Sequence, residues 1–337
     1  MEIKEAIQSV IDKTNLTEDN AYSVAMNIME GSATDAQISA LLVALRLKGE
    51  TIEEITGFVR AMREKATPIP AASKDLVDTC GTGGDCSGTF NVSTVSGLVA
   101  AAAGCNVAKH GNRSVSSQCG SADLLMELGL NLELSAEQVA KCIDEQGFGF
   151  LFAPLLHKAM KYAIGPRREI GIRTIFNILG PMTNPASAKR QLLGVFDGGL
   201  TEPLCMVLQR LGSEHVMVVH GEDGLDEITL ADKTRVTELN NGKVQTYQIE
   251  PEQFGLTRAP IESIKGGDPA QNKAIALSIL KGEKSTPRDM VLLNTGAVMY
   301  VGGKAESVKA GIQMTAEIID SGKAMEKLQT IIKATNK

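Results

Sequence analysis

Asp78-Thr-Cys-Gly-Thr-Gly-Gly-Asp85, followed at once by Asn91-Val-Ser-Thr94, decides how this chain is read. The apolar pair Leu76-Val77 precedes it and a small-residue run from Val95 to Ala103 follows, so the order is strand, glycine loop, helix. Gly81, Gly83 and Gly84 permit positive φ and let backbone N–H groups turn inward, where an anionic oxygen meets no Cβ. Asn91, Ser93 and Thr94 sit where the helix leaves its first N–H groups unpaired, at the positive end of its dipole. After a second apolar stretch, Asn106-Val-Ala108, comes Lys109-His-Gly-Asn-Arg-Ser-Val-Ser-Ser117, which adds Lys109, Arg113 and the hydroxyls of Ser114, Ser116 and Ser117. A lone glycine loop is as readily a mobile connection. Two such blocks one crossover apart predict a ligand with anionic groups at both ends.

Upstream, the first 66 residues read as helices. Thr34-Asp-Ala-Gln37 and Thr51-Ile-Glu-Glu54 fit capping boxes, and Gly31 and Gly49 stand where helices from about Glu18 and Asp35 should stop. Ile38, Leu41, Leu42 and Leu45, then Ile55, Phe58, Val59 and Met62, mark one apolar stripe per helix. Thr67-Pro-Ile-Pro70 cannot continue a helix and forms a stiff linker. Downstream, short β-like runs at Val107-Ala108, Phe150-Leu-Phe152, Leu192-Leu193 and Val216-Met-Val-Val219 alternate with helices, which argues for a parallel sheet. Val236 to Ile249, broken at Asn240-Asn-Gly242, predicts a hairpin adding antiparallel strands at the sheet's end. Leu155 to Leu179 reads as helical again, interrupted at Pro166. The fold class is therefore α/β, a small N-terminal helical domain plus a larger α/β domain with a mostly parallel central sheet wrapped by helices.

Composition narrows the function. A chain of 337 residues can bury a large core and favours two domains. Net charge −6 and a pI near 5.4 argue against a nucleic-acid surface, so an anionic substrate must be held by local positive groups, N–H cradles or metal ions. The six cysteines (Cys80, Cys86, Cys105, Cys119, Cys142 and Cys205) lack zinc-ligand spacing. With no signal peptide or membrane-length apolar run evident, reduced thiols and a cytoplasmic location are expected. Cys80 and Cys86 flank the loop, but no His–Asp pair is arranged around them, and packing or loop lining is their expected role.

Two further groups can carry chemistry. Asp226-Glu227, placed at a loop-to-strand transition after Val219, can bind hard cations, although most such pairs are solvated surface charge. Arg167, just after Gly165-Pro166, either presents a guanidinium fork to a carboxylate or pairs with Glu169 on its own helix.

Gly81-Thr-Gly-Gly-Asp85, Asn91-Val-Ser-Thr94, Lys109 to Ser117, Gly165-Pro-Arg-Arg168 and Asp226-Glu227 together closely resemble the anthranilate phosphoribosyltransferases, the tryptophan-pathway family that joins anthranilate to phosphoribosyl pyrophosphate. The five blocks stand in the family's order and span essentially the whole chain; Gln118 and Cys119 depart from its usual residues just after the second block.

The resemblance implies that phosphoribosyl pyrophosphate is held by Gly81, Gly84, Asp85, Thr89, Asn91, Val92, Ser93, Thr94, Lys109, His110, Gly111, Asn112, Arg113, Ser114, Val115, Ser116, Ser117 and Ser121. It makes Ser93, Asp226 and Glu227 the ligands of Mg2+, with Glu222 and Asp223 left to the surface or an outer shell. Gly81, Asn112 and Arg167 are then anthranilate contacts, His110 and Pro181 wall its ring, and Arg168 is left to a structural ion pair. The arylamine is neutral at pH 7 and needs no base before attack; if a general base exists, His110 is the candidate. The segment after Leu155 is implied to return to the N-terminal helices, so that residues 1–67 with 155–182 form a dimerisation domain. Residues 71–153 with 186–337 then form the substrate domain. Hinges fall near Thr67 to Pro70, Ala153-Pro154 and Gly180 to Pro185. A homodimer is implied, with no membrane or nucleic-acid partner. A pyrimidine nucleoside phosphorylase and a non-catalytic nucleic-acid-binding relative are the competing readings. Asp226-Glu227 and the absence of an added C-terminal domain weigh against the first, the acidic composition and intact metal ligands against the second.

Overall fold

In the computed structural model, residues 1–85, 87–114 and 118–337 are described, so the expectations placed on Cys86, Val115, Ser116 and Ser117 lie outside the described residues. Four helices open the chain: α1 (Ile3–Ile11), α2 (Glu18–Met29), α3 (Asp35–Lys48) and α4 (Ile52–Lys65). The boxes at Thr34/Gln37 and Thr51/Glu54 are both formed, and the Thr17 hydroxyl caps α2. Glu54 does more than cap. Wholly buried, it accepts the N–H groups of Leu16 and Thr51, each at 2.9 Å, and pairs with Lys48 Nζ at 2.9 Å. One carboxylate thus ties the start of α4 to the α1–α2 loop and to the end of α3.

The sheet contains β1 (Leu76–Gly81), β2 (Asn106–Gly111), β3 (Phe148–Phe152), β4 (Arg190–Gly194), β5 (His215–Gly221), β6 (Thr234–Asn240) and β7 (Lys243–Ile249), in the order β3-β2-β1-β4-β5-β6-β7. The first five pair in parallel, and the β6–β7 hairpin adds antiparallel at one edge, as expected. Its turn places Asn241 at φ 49° and Gly242 at φ 77°, the two positive values that a tight hairpin of matching twist requires. Strand alternation splits the core. Met217 and Val219 face one apolar layer with the helices Val92–Ala102 and Thr286–Val301, while Val216 and Val218 face a second, shared with α1–α4 and the helix Thr201–Arg210.

Between β3 and β4 the chain leaves the sheet. The helix Lys161–Ile170 packs on α2 and α3, and Phe176 meets Phe58 of α4 edge-on at 6.1 Å. Arg63 Nε donates to the Met182 carbonyl at 2.8 Å. Pro166 does not interrupt this helix, contrary to expectation. It is buried inside the helix, which continues to Ile170 with the one bond of the missing N–H forgone and is held by its packing on α2 and α3.

Strand order reverses direction between β1 and β4, and in open parallel sheets ligands bind at such a point beyond the carboxyl ends of the strands. The glycine loop leaves β1 there. For the bundle, Glu54→Ala would remove the ion pair with Lys48 and leave the Leu16 and Thr51 N–H groups unanswered, and a loss of about 3–5 kcal/mol of stability is expected. Urea denaturation checks this, and a midpoint unchanged from wild type would show that Glu54 does not organise the helices.

Candidate active site

Asp226 and Glu227 stand on the loop between β5 and β6; no strand follows until Thr234, so the expected loop-to-strand transition is absent. Asn294, fully buried on the helix Thr286–Val301, holds that loop by accepting the Ile228 N–H at 3.0 Å and donating to the Ile228 carbonyl at 2.8 Å. The loop can then press against the strand ends because glycines stand there. A Cβ at Gly194 would overlap the Asp226 carbonyl oxygen, and one at Gly81 would meet Asp226 Oδ2 at 2.5 Å. Glu222 is exposed, and Asp223 accepts the Thr229 hydroxyl at 2.7 Å, which leaves both in local roles.

The two carboxylates occupy backbone donors of the first sequence block. Asp226 Oδ2 accepts the Gly83 N–H at 2.7 Å, and Glu227 Oε1 accepts the Ser93 N–H at 3.1 Å. The helix after the glycine loop begins at Val92, three residues before the expected Val95, and its first N–H groups are not free. Val92 donates to Phe90 O, Thr94 donates to Asn91 O, and Glu227 takes Ser93. Asn91 gives no side-chain cap: its Nδ2 donates to Cys119 O, while its N–H goes to Asn272 Oδ1. The Thr94 hydroxyl is buried without a hydrogen-bond partner among the described residues.

Burial is the largest influence on both acids and raises both pKa values. Asp226 is pushed up further by the charge of Asp85, and Glu227, raised to about 8, by the charge of Asp226. Asp85 is held by the Ser87 N–H at 3.2 Å and the Ser87 hydroxyl at 2.6 Å, and Ser87 Oγ lies 3.3 Å from Thr89 Oγ1. Lys109 joins this cluster from below. It is wholly buried on β2 and donates to Thr79 O at 2.6 Å and to Ser93 Oγ at 3.2 Å. Burial lowers its pKa, against the pull of the Asp78 and Glu227 charges. Ser93 is therefore the junction of the cluster, bonded through its N–H to Glu227 and through its hydroxyl to Lys109.

A second group lies beside it. His110 is buried, with Nδ1 3.1 Å from Gly180 O and Nε2 3.2 Å from His157 Nε2. A carbonyl only accepts, so Nδ1 carries the proton, and His157 must then donate to His110 Nε2. Burial drives the His110 pKa down to about 3 and that of His157 to about 4. Pro181, also buried, offers its carbonyl to Gln191 Nε2 at 2.7 Å. Arg167 spreads over the Phe176 ring at 5.3 Å and makes no ion pair among the described residues; burial lowers its pKa. Exposed Arg168 also makes none there, so the structural pair expected of it is missing.

The structure does not gather everything the sequence proposed. The 112–114 stretch folds back on the turn before Ser121: Asp123 Oδ2 accepts the N–H groups of Ser114 at 3.1 Å and Gly120 at 2.9 Å. Arg113 is exposed, with Nη2 3.5 Å from Met126 S, and Asn112 Oδ1 accepts the Arg113 N–H. Gly111 ends β2, and Ser121 begins the short helix Ser121–Glu127. Asp123, His157, Asn184 and Asn294 went unassigned in the sequence reading. Only Asn184, beside Pro185 in an expected hinge, carried a local signal.

Comparison with known proteins places this architecture. The family described as "Glycosyl transferase family, a/b domain" matches residues 73–325, and "Glycosyl transferase family, helical bundle domain" matches residues 4–66. The chain is thus built as a two-part glycosyl transferase. It is 53% identical over 331 residues to an anthranilate phosphoribosyltransferase of Alkaliphilus metalliredigens, covering 98% of each chain. A crystal structure of that enzyme from Thermus thermophilus superposes with a TM-score of 0.94 at 45% identity, covering 98% of this chain and 99% of the other. The enzyme from Saccharomyces cerevisiae in complex with PRPP and Mg gives 0.90 at 26% identity, covering 99% and 98%. The chain belongs to the anthranilate phosphoribosyltransferase family.

The raised acids generate a pH dependence. With the Glu227 pKa near 8 rather than its ordinary 4.5, the folded protein binds more protons than the unfolded chain between those values. Wild-type stability therefore falls as pH rises across that window in metal-free buffer. Glu227→Gln removes the ionisable group, so its stability relative to wild type should increase from pH 4.5 to pH 8 and then level. A difference that stays constant in chelator-treated denaturation series would refute the shift.

Proposed function

We propose that this protein transfers the phosphoribosyl group of 5-phosphoribosyl 1-pyrophosphate to the amine of anthranilate, giving N-(5-phosphoribosyl)anthranilate and pyrophosphate. The observation that carries the reading is the meeting of Asp226 and Glu227 with the glycine loop and the start of the helix Val92–Ala102, over Lys109 and Ser93. Partly buried carboxylates crowded onto N–H donors suit a hard divalent cation, which relieves their mutual repulsion and leaves the donors to an anion. The donor set fits Mg2+: Asp226, Glu227 and the Ser93 hydroxyl would hold it. Bound there, it supplies charge neutralisation to a pyrophosphate leaving group.

The chain's own groups do the rest. Pyrophosphate departs from the anomeric carbon as the ribose gains oxocarbenium character, and the N–H groups of the glycine loop and helix start stabilise the departing charge. Gly81, Gly84, Asp85, Thr89, Asn91 to Thr94, Lys109 to Ser114 and Ser121 supply the donor's binding surface within the described residues. Arg167 presents its planar fork to the anthranilate carboxylate, with Gly81 and Asn112 as neighbours. His110 and Pro181 wall the ring. His110 holds its Nδ1 proton toward Gly180 and has a pKa near 3, so it is a poor base at neutral pH. The arylamine attacks neutral and loses its proton afterwards, which suits placement without a dedicated base.

The packing of residues 161–179 on α2, α3 and α4 supports a discontinuous helical domain, 1–67 with 155–182, against a substrate domain of 71–153 with 186–337. Closure between them would exclude water from the anomeric carbon. Exposed Leu47 and Ile11, on the contacting helices α3 and α1, support a homodimer through the helical domain. No helix is long and apolar enough, among the described residues, to cross a membrane, and the five described cysteines are buried, in keeping with the cytoplasmic location proposed for this biosynthetic enzyme.

Loss of anthranilate fluorescence on mixing protein, both substrates and MgCl2 tests the reaction; turnover that persists in EDTA would remove the metal role. Arg167→Ala should raise the KM for anthranilate about tenfold or more while moving that for the phosphoribosyl donor far less. Equal effects on the two would count against the carboxylate fork.

A further inference from the structure

Arg173 lies in the turn 171–175, between the helix bearing Arg167 and the helix Phe176–Leu179. Its backbone belongs to the segment packed on α2 to α4, but its side chain crosses to the glycine loop. There Nη2 donates to the Gly84 carbonyl, and the guanidinium lies 4.2 Å from the centre of the Phe196 ring. Phe196 is a fixed platform. Its N–H donates to Thr82 Oγ1 at 3.2 Å, and the Thr82 N–H donates to Gly194 O at 2.9 Å, so ring and loop are anchored to one another. A guanidinium can stack by its face and donate by its edge at once, whereas an ammonium cannot.

We propose that Arg173 is a positioning residue: it clasps the glycine loop to the segment that carries Arg167 and Pro181, and so couples the pyrophosphate end of the cleft to the anthranilate end. The proposal rests on the functional reading above. A ligand that fixes the loop fixes the Gly84 carbonyl, which seats Arg173 and with it the turn between Arg167 and Gly180. The coupling is reciprocal, because each ligand must favour the same clasped arrangement. Arg173 itself is exposed and fills no core, so its loss should not unfold the protein.

Magnesium pyrophosphate and anthranilate are the probes, with anthranilate binding followed by fluorescence in wild type, Arg173→Ala, Arg173→Lys and Phe196→Leu. In wild type, magnesium pyrophosphate is expected to tighten anthranilate about tenfold, within the usual range of coupling between sites. Both Arg173 variants should reduce that factor to about one, and Phe196→Leu should reduce it in part, while anthranilate alone binds within about twofold of wild type and Tm stays unchanged. Coupling that survives in Arg173→Ala, Arg173→Lys behaving as wild type, or coupling lost only alongside a fall in Tm would each overturn the clasp. Wild-type turnover is measured in parallel. An active wild type without coupling sinks this inference alone, and an inactive one sinks the functional reading with it.

Discussion

A single buried carboxylate, Asp78 in the middle of the sheet, dictates much of the arrangement around the cleft. It is fully enclosed, and burial raises its pKa, opposed first by the Lys109 charge and then by hydrogen bonds. An acid in that position is tolerable only if its oxygens are answered. The answers come from the His110 N–H at 3.1 Å, Asn184 Nδ2 at 2.8 Å, Gln191 Nε2 at 3.4 Å and the Cys80 thiol at 3.7 Å. Asn184 also donates to the Ala108 carbonyl, and Gln191 to that of Pro181. Asp78 thereby joins β1, β2 and β4 to the segment returning from the helical excursion. His110 and Pro181 owe their places to it, although Asp78 itself faces no proposed substrate.

The cluster above it has the opposite character. Asp226 and Glu227 are half-buried close to Asp85, with raised pKa values, and stability would be better served by neutral residues. Their position is enforced from behind, by Asn294 on the loop backbone and by glycines at Gly81 and Gly194 that leave room for the Asp226 carboxylate and carbonyl. The same acids fill the donors of Gly83 and Ser93, so the cradle read from the glycine pattern is occupied by the protein's own carboxyl groups. An anion gains those donors only when the carboxylates turn elsewhere, and a cation is the natural reason for them to do so. Cation and anionic substrate would then bind together, each removing the obstacle to the other.

Much of this was legible in the sequence because it is local. The capping boxes at Thr34 and Thr51, the Asn241-Gly242 turn and the strand, loop and helix order around Gly81 depend on residues within a few positions of one another. Local reasoning failed in two ways. At Pro166 it overestimated a breaker, since the helix Lys161–Ile170 runs through the buried proline and is held by packing on α2 and α3. At Asn91 to Thr94 it left the first N–H groups of the helix unpaired, whereas that of Ser93 is taken by Glu227, 134 positions away. The Asp78–Asn184 bond spans 106 positions and the His110–His157 bond 47, and no spacing rule connects such residues before the sheet brings them together. The family resemblance supplied the ligand assignments but did not expose the supporting shell of Asn184, His157 and Asn294.

That shell bears on how the proposed reaction would proceed without a proton relay. His110 has both ring nitrogens committed, one to the Gly180 carbonyl and the other to His157, and its low pKa follows from burial without a counter-charge. Such an imidazole is a fixed, neutral, flat surface, useful for bounding an aromatic ring and poorly suited to collecting a proton. A neutral arylamine does not ask for one. The difficult part of the proposed reaction is the departure of a polyanion, and there the chain concentrates its electrostatic elements: paired acids for a cation, a buried lysine beneath Ser93 and backbone donors at the end of β1. The chemistry is divided in space, charge handled at the strand ends and shape handled along the helical return. Arg173 is the side chain that reaches from the second region to the first.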